Sequence, residues 1–104
     1  MDEHKLRSPQ TDFLMDAVLT LGSREEAYCF FEDICTIAEI KSMAQRLAVA
    51  SLLRQGTKYQ EIVRQTGAST ATISRVNRSL TYGADGYTRV LDALQPLHSQ
   101  PDQD

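Results

Sequence analysis

The strongest constraint on the fold lies between Thr57 and Leu80, where two short apolar patterns meet at Gly67. On both sides of this glycine, apolar residues recur at a spacing of three and four, which is typical of amphipathic helices. Glycine adopts the positive φ of a tight turn without the steric cost of a Cβ atom. The segment therefore predicts two short helices that pack across each other, with these residues facing inward: Ile62, Val63, Thr66, Ala68, Ile73, Val76 and Leu80.

The free side of the second short helix is polar and begins with small side chains. Such side chains allow a helix to enter the major groove of DNA, about 12 Å wide, where hydroxyl and guanidinium groups reach base edges. Two arginines follow on this helix, and two further basic residues near the first short helix are expected to contact phosphates. Segment 57–80 is thus an expected helix-turn-helix, with the DNA-binding residues Arg54, Lys58, Ser69, Thr70, Ala71, Thr72, Arg75 and Arg78.

The distribution of charge agrees with an anionic partner, although the chain of 104 residues has a net charge of −3. Residues 41–80 hold seven basic residues and one acidic residue, a net charge of +6, whereas residues 1–40 carry −6 and residues 81–104 carry −3. Because salt screens charges beyond about 8–10 Å, the local field matters more than the total charge. The middle of the chain is therefore the expected DNA-facing region.

The rest of the chain shows further helical patterns, so the expected fold is all-α with about six helices. Residues 1–10 are expected to form a mobile segment, residues 11–94 a single helical domain, and residues 95–104 a flexible tail. The third and longest helix is expected to begin at Thr36. Its expected apolar stripe consists of Ile37, Ile40, Ala44, Leu47 and Ser51.

Several residues mark the expected helix ends. Thr57 and Gln60 have the spacing of a capping box, and Gly56 suits the left-handed position that follows a helix. Side chains that accept hydrogen bonds from a first turn are expected N-caps, and they are Asp12, Ser23, Ser69 and Asp85.

Other function classes find little support in the sequence. Cys29 and Cys35 are six residues apart in an apolar helical stretch, so they are expected to be buried, reduced thiols and not a redox or metal pair. The chain lacks an apolar run of membrane-spanning length and a signal-peptide pattern, so a cytoplasmic protein is expected. Neither a constellation of catalytic residues nor a phosphate-binding glycine loop is apparent, so no enzyme activity, metal or cofactor is expected.

Three stretches of the sequence resemble the Trp-repressor superfamily, and within it the YerC/YecD branch of bacterial regulators. They are residues 30–37, 44–50 and 66–75, and the run Thr-Gly-Ala-Ser-Thr-Ala-Thr-Ile-Ser-Arg at 66–75 is the most specific. The resemblance covers roughly residues 14–94 and implies an intertwined homodimer with a helix-turn-helix on each flank. The apolar helices that contain Phe13, Phe30 and Phe31 agree with a partner surface, and a two-fold dimer would read a palindromic DNA site.

The resemblance also implies three candidate effector-binding residues, because Thr36, Arg46 and Arg75 match positions that hold tryptophan in the Trp repressor. Alternatively, Thr36 is an N-cap, Arg46 a surface or salt-bridging residue, and Arg75 a DNA contact. Two departures favour this alternative. The first short helix is one residue shorter than in the Trp repressor, and Val76 stands where that protein has a glycine. A tryptophan-dependent switch is therefore not expected, and any effector would be a different molecule.

The sequence thus predicts a dimeric transcriptional regulator, of the repressor type, that binds double-stranded DNA. Two alternatives remain open. One is a helical protein–protein interaction module that uses the acidic first forty residues instead of binding DNA. The other is a plain helical corner at Gly67 without a binding role.

Overall fold

The computed structural model describes residues 4–94, which form six α-helices and no strand. The predicted all-α fold with about six helices is confirmed. The expected tail 95–104 and the first three residues lie outside the described part of the chain. A division after Ile40 separates two compact units, each described by itself below. The helices are α1 (Pro9–Leu19), α2 (Arg24–Ile34), α3 (Ile37–Arg54), α4 (Tyr59–Thr66), α5 (Thr70–Tyr82) and α6 (Gly86–Asp92).

The first unit begins with a helix that starts earlier than the sequence predicts. Ser8 is the N-cap of α1 and accepts a hydrogen bond of 3.0 Å from the Thr11 N–H, so the prediction of Asp12 as the cap is wrong. Pro9 occupies the first helical position, where its missing N–H costs nothing and its fixed φ favours the helix. Residues 9 and 10, which were expected to be mobile, therefore belong to α1.

The N-caps of the next two helices agree with the sequence. Ser23 caps α2 by accepting a hydrogen bond of 3.1 Å from the Glu26 N–H. At the start of α3, the Thr36 hydroxyl accepts from the Glu39 N–H at 3.0 Å, and the Glu39 carboxylate accepts from the Thr36 N–H at 2.8 Å. This reciprocal pair is a capping box, and it confirms that Thr36 is an N-cap.

The apolar residues of the first unit are either half-buried or exposed in the single chain. No residue of α1 or α2 is buried, and the exposed fraction is 77% for Phe13 and 59% for Tyr28. Cys29 is exposed and Cys35 half-buried, so the prediction of two buried thiols is wrong. An apolar stretch does not by itself decide which of its side chains the rest of the chain covers, and this single chain leaves the Cys29 face of α2 open.

The core of the second unit forms where the last turns of α3 meet α4 and α5. The buried side chains Val49, Ala50, Leu52, Ile62, Ala68, Ile73 and Val76 form one cluster. The predicted inward positions of the two short helices are thus confirmed for Ile62, Ala68, Ile73 and Val76, while Val63, Thr66 and Leu80 are half-buried.

The apolar stripe predicted for α3 is confirmed only at its C-terminal end and is wrong for Ile37 and Leu47. Ser51 is buried, but Ile37 is 73% exposed and Leu47 is 36% exposed. The core instead contains Val49 and Ala50, which the helical spacing did not select. The reason is that only the C-terminal end of α3 contributes to this core, so a stripe extended along the whole helix does not match what the single chain buries.

The connection from α3 to α4 is a glycine-terminated helix end. Gly56 has a φ of 82°, its N–H donates to the Leu53 carbonyl, and the Thr57 N–H donates to the Leu52 carbonyl. These two bonds form a Schellman motif, in which Thr57 belongs to the end of α3. Lys58 is therefore the N-cap of α4, without a side-chain capping bond, and the predicted Thr57–Gln60 capping box is wrong.

The connection from α5 to α6 also requires a glycine. A Cβ atom on Gly83 would lie 2.4 Å from the Ser79 carbonyl oxygen, a distance that backbone atoms do not tolerate. Asp85 is the N-cap of α6 as predicted by position, but its φ is 67° and its side chain makes no capping bond, so the predicted side-chain cap is wrong. Arg54 links the end of α3 to this last helix, because its Nη2 lies 2.6 Å from an Asp92 carboxylate oxygen.

The outer surface of α4 carries an ion pair between Glu61 and Arg64. Hydrogen bonds from Arg64 and then Gln65 stabilise the carboxylate, and they lower the pKa of Glu61 from 4.5 to about 2. The carboxylate therefore neutralises a basic side chain of the helix-turn-helix at all ordinary pH values.

The Gly67→Ala variant should lose stability through its backbone alone. The φ of Gly67 is 74°, while the added Cβ would lie 3.9 Å from the Gln45 amide nitrogen, an ordinary contact. A left-handed conformation costs a residue with a Cβ roughly 1–2 kcal/mol, which the urea midpoint of unfolding would report. The control is Gly86→Ala, whose Cβ meets nothing within 4 Å. An equal loss in both variants would contradict this account.

The Glu61→Gln variant should lose part of the acid sensitivity of the parent protein. Because the folded state lowers the pKa of Glu61 from 4.5 to about 2, its carboxylate stabilises the fold above pH 4.5, and this contribution is lost as the pH falls from 4.5 towards 2. Across that window the urea midpoint should fall more steeply for the parent than for Glu61→Gln. Glu32→Gln on α2 serves as the control, and parallel curves for parent and Glu61→Gln would refute the prediction.

Candidate nucleic-acid interface

The recognition helix of the predicted helix-turn-helix is α5, and its N-terminus is fixed by two hydroxyl groups. The Ser69 hydroxyl accepts from the Thr72 N–H at 3.1 Å and donates to the Thr72 hydroxyl at 3.1 Å. Ser69 is thus the N-cap that the sequence predicts. The cap leaves the other N–H groups of the first turn available, and such groups suit a phosphate.

One side of α5 holds the helix in the core and the opposite side is exposed. Ile73 and Val76 are 0% and 1% exposed, so they anchor the helix from behind. We call five of the exposed residues of α5 the outer face, and they are Thr70, Ala71, Ser74, Arg75 and Arg78.

Four of these five residues are predicted DNA contacts, and the fifth, Ser74, was missed. Ser74 follows Thr70 by four residues and Ala71 by three, so helical spacing alone places it on the same side. Thr72, another predicted contact, is half-buried beside the outer face. Helical spacing in the sequence is therefore sufficient to place Ser74 among the exposed residues of this helix.

The basic residues of this region differ in whether their charges are neutralised. Within residues 4–94, the side chains of Lys58, Arg75 and Arg78 make no hydrogen bond or ion pair with another residue. Arg64, by contrast, is paired with Glu61, and its Nε lies 3.0 Å from a carboxylate oxygen. Of the four basic residues in segment 57–80, these three are therefore available to an external anion.

Arg54, which the sequence predicts as a phosphate contact, lies in a different setting. Its Nη2 donates to Asp92 at 2.6 Å, and its Nη1 lies 3.4 Å from the Thr88 carbonyl oxygen. Both partners belong to α6. A phosphate would have to compete with the Asp92 carboxylate for this guanidinium group.

The bend between α4 and α5 is held by a small network of hydrogen bonds. Gly67 has a φ of 74°, and its N–H donates to the Val63 carbonyl at 2.8 Å. The Thr66 hydroxyl donates to the Ile62 carbonyl at 2.7 Å and accepts from the Ala68 N–H at 3.1 Å. A side chain from α3 completes the network, because the Gln45 amide donates to the Thr66 carbonyl at 3.0 Å.

The three candidate effector residues are divided between the two units. Thr36 lies in the first unit, where both its hydroxyl and its N–H take part in the capping box. Arg46 and Arg75 lie in the second unit. The Arg46 guanidinium donates to the Ser42 hydroxyl at 2.7 Å, one turn earlier in α3, while Arg75 is exposed on α5.

The described part of the chain shows neither a metal-binding cluster nor a membrane-spanning helix. Residues 4–94 contain no group of three or more histidine, cysteine, aspartate or glutamate side chains arranged to bind a metal ion. Over the same residues, every helix is too short or too polar to span a lipid bilayer.

Comparisons with known proteins agree with this geometry. The family model described as Trp repressor protein matches residues 9–95. The uncharacterized protein YerC of Bacillus subtilis strain 168 is 50% identical over 100 residues, which are 96% of this chain and 96% of YerC.

Solved structures show the same fold. A TrpR-like protein from Eubacterium eligens is 55% identical with a TM-score of 0.83, covering 86% of this chain and 92% of that one. A Staphylococcus aureus protein, described as a candidate Trp repressor, is 53% identical with a TM-score of 0.83, covering 89% and 95%. Since both the family model and close relatives span most of the sequence, the chain belongs to the Trp repressor protein family.

Proposed function

We propose that the protein is a sequence-specific DNA-binding transcriptional regulator that binds a palindromic operator as a homodimer. The observation that carries the proposal is the outer face of α5, which is polar and exposed while Ile73 and Val76 hold the helix from behind. Membership of the Trp repressor protein family supports the same function.

In this proposal α5 enters the major groove of each half-site. Thr70, Ala71 and Ser74 are small enough to approach base edges, where hydroxyl groups form hydrogen bonds and methyl groups contact thymine. Thr72 lies beside them and contributes its methyl or hydroxyl group from a half-buried position. Arg75 reads guanine, because a guanidinium group donates two hydrogen bonds to its O6 and N7 atoms.

Phosphate contacts fix the register of α5 in the groove. Lys58 and Arg78 supply positive charge without an internal partner among residues 4–94, and the N-terminus of α5 at Ser69 offers N–H groups to a phosphate. Arg54 joins them only where a phosphate displaces Asp92. Release of counterions by these cations provides most of the affinity.

A second copy of the chain covers the apolar side chains that one chain leaves exposed. Phe13, Leu19 and Ile37 are each more than two-thirds exposed, at 77%, 82% and 73%. Exposed apolar surface of this kind marks an interaction site, and a two-fold dimer places two recognition helices about 34–36 Å apart. A dimer bound over a promoter would act as a repressor by blocking access to it.

DNA binding does not require tryptophan in this proposal. Thr36 serves as an N-cap and Arg46 is hydrogen-bonded to Ser42, so each has a structural role without an effector. Val76, which stands where the Trp repressor has a glycine, is buried in the core. Arg75 is then a DNA contact and not part of an effector site.

Selection of bound duplexes from a random pool tests the proposal as a whole. We expect one palindromic consensus, recovered equally with and without tryptophan, and an affinity that falls steeply with salt concentration. If duplexes are enriched only when tryptophan is present, the proposal that DNA binding does not require tryptophan is overturned. If no duplex binds even at low salt, the protein interaction module becomes the better account of the exposed apolar helices.

Single substitutions separate base reading from phosphate contact. Arg75→Ala should reduce the binding free energy for the selected duplex by about 1–3 kcal/mol and relax specificity at one base pair of each half-site.

Lys58→Ala should weaken binding to all duplexes by the same factor and reduce the slope of log affinity against log salt concentration by about 1. Arg24→Ala on α2 removes the same charge and is the control. If Arg75→Ala and the parent bind every duplex with equal affinity, Arg75 does not contribute to base recognition.

A further inference from the structure

The hydrogen bond between Gln45 and Thr66 joins two residues that are far apart in sequence and lie on the consecutive helices α3 and α4. Gln45 lies in the middle of α3, is half-buried, and donates from Nε2 to the Thr66 carbonyl oxygen at 3.0 Å. The two residues are 21 positions apart. The bond therefore fixes the end of α4 relative to α3, in addition to the apolar contacts of the core.

The acceptor is a carbonyl group that α4 cannot satisfy by itself. Thr66 is the last residue of α4, and the final carbonyl groups of a helix have no N–H partner within the helix. Thr66 is half-buried, and burying such a group without a hydrogen bond is costly. The Gln45 amide on α3 donates the hydrogen bond that α4 cannot supply to this carbonyl group. The position of the α4 terminus therefore depends on Gln45.

From Thr66 the network continues into the recognition helix. Its hydroxyl accepts from the Ala68 N–H at 3.1 Å, and Ala68 is 2% exposed, so the bend is tightly packed. Ser69 follows directly and caps α5 through the Thr72 N–H. A shift of the Thr66 backbone would therefore be transmitted within three residues to the end of α5 that approaches the bases.

We propose that Gln45 is a positioning residue that sets the DNA specificity of α5 through its hydrogen bond to the Thr66 carbonyl. This inference rests on the proposed function, because specificity is defined only for a DNA-binding protein. Gln45 acts without contacting DNA. A change in the placement of α5 weakens the fit to the correct bases, whereas phosphate contacts tolerate it, because they carry no sequence information directly.

The test uses the full-length chain and the Gln45→Met variant, in which a side chain of similar length and good helix propensity replaces the amide. The dissociation constants for the selected duplex and for an unrelated duplex of equal length give the specificity ratio. We expect the variant to lower this ratio by about three- to tenfold, as loss of one net hydrogen bond implies. The salt slope should be unchanged, since no cation is removed.

Two control variants separate positioning from stability. Gln55→Met also removes an amide, at the residue that directly follows α3, and this amide donates to the Ser51 carbonyl and hydroxyl oxygens one turn earlier. Val49→Ala removes core volume one turn after Gln45 and leaves the bond to Thr66 in place. Val49→Ala should lower the urea midpoint, and both controls should keep the specificity ratio within about twofold of the parent.

Amide hydrogen exchange in the free protein gives a second measurement that does not need DNA. The N–H groups of Gly67, Ala68 and Thr72 should exchange about three- to tenfold faster in Gln45→Met than in the parent, and at the parental rate in Gln55→Met. If the parent binds a selected duplex and Gln45→Met keeps the parental ratio, the inference is overturned. If the parent binds no duplex, the proposed function fails, and unchanged exchange in Gln45→Met would separately overturn the positioning role.

Discussion

Everything proposed for this protein depends on the burial of α5 by one side only. Ile73 and Val76 are in the core with Ile62 and Ala68, and the left-handed Gly67 brings the two short helices into contact. Fully burying an aliphatic side chain is worth about 1.5–3 kcal/mol, so a few such residues are enough to hold a short helix that would not be stable alone. The residues on the opposite side of α5 are not needed to hold the helix in the core, so their types can suit binding.

The sequence predicted the parts of the fold that short-range physics controls. Gly56 and Gly67 have the positive φ expected from their positions after a helical pattern, and Ser69 caps α5 through a residue three positions away. Such features depend on neighbours within one helical turn, so they are visible in the sequence. The outer face followed from the same periodicity, and even Ser74 could have been assigned by its spacing from Thr70.

What the sequence did not predict has two causes, which are contacts between distant segments and local motifs that compete for the same residues. The stripe expected along α3 failed because it assumed one continuous buried side, whereas the chain by itself buries only the C-terminal end. Thr57 was assigned to the start of α4 because a capping box and a Schellman motif compete for the same residue. The roles of Gln45 and Arg54 depend on partners 21 and 38 positions away, which no local pattern reveals.

If the protein has the proposed DNA-binding function, the internal pairing of Arg54 and Arg64 has a consequence for its behaviour on a chromosome. Two of the seven basic residues in 41–80 already face carboxylates, so the charge that attracts DNA of any sequence is smaller than the composition indicates. Binding to arbitrary sequences is almost entirely electrostatic, while binding to the operator also includes base contacts. A regulator that neutralises part of its own charge spends less time on the large excess of wrong sites, and fewer copies are needed to keep an operator occupied.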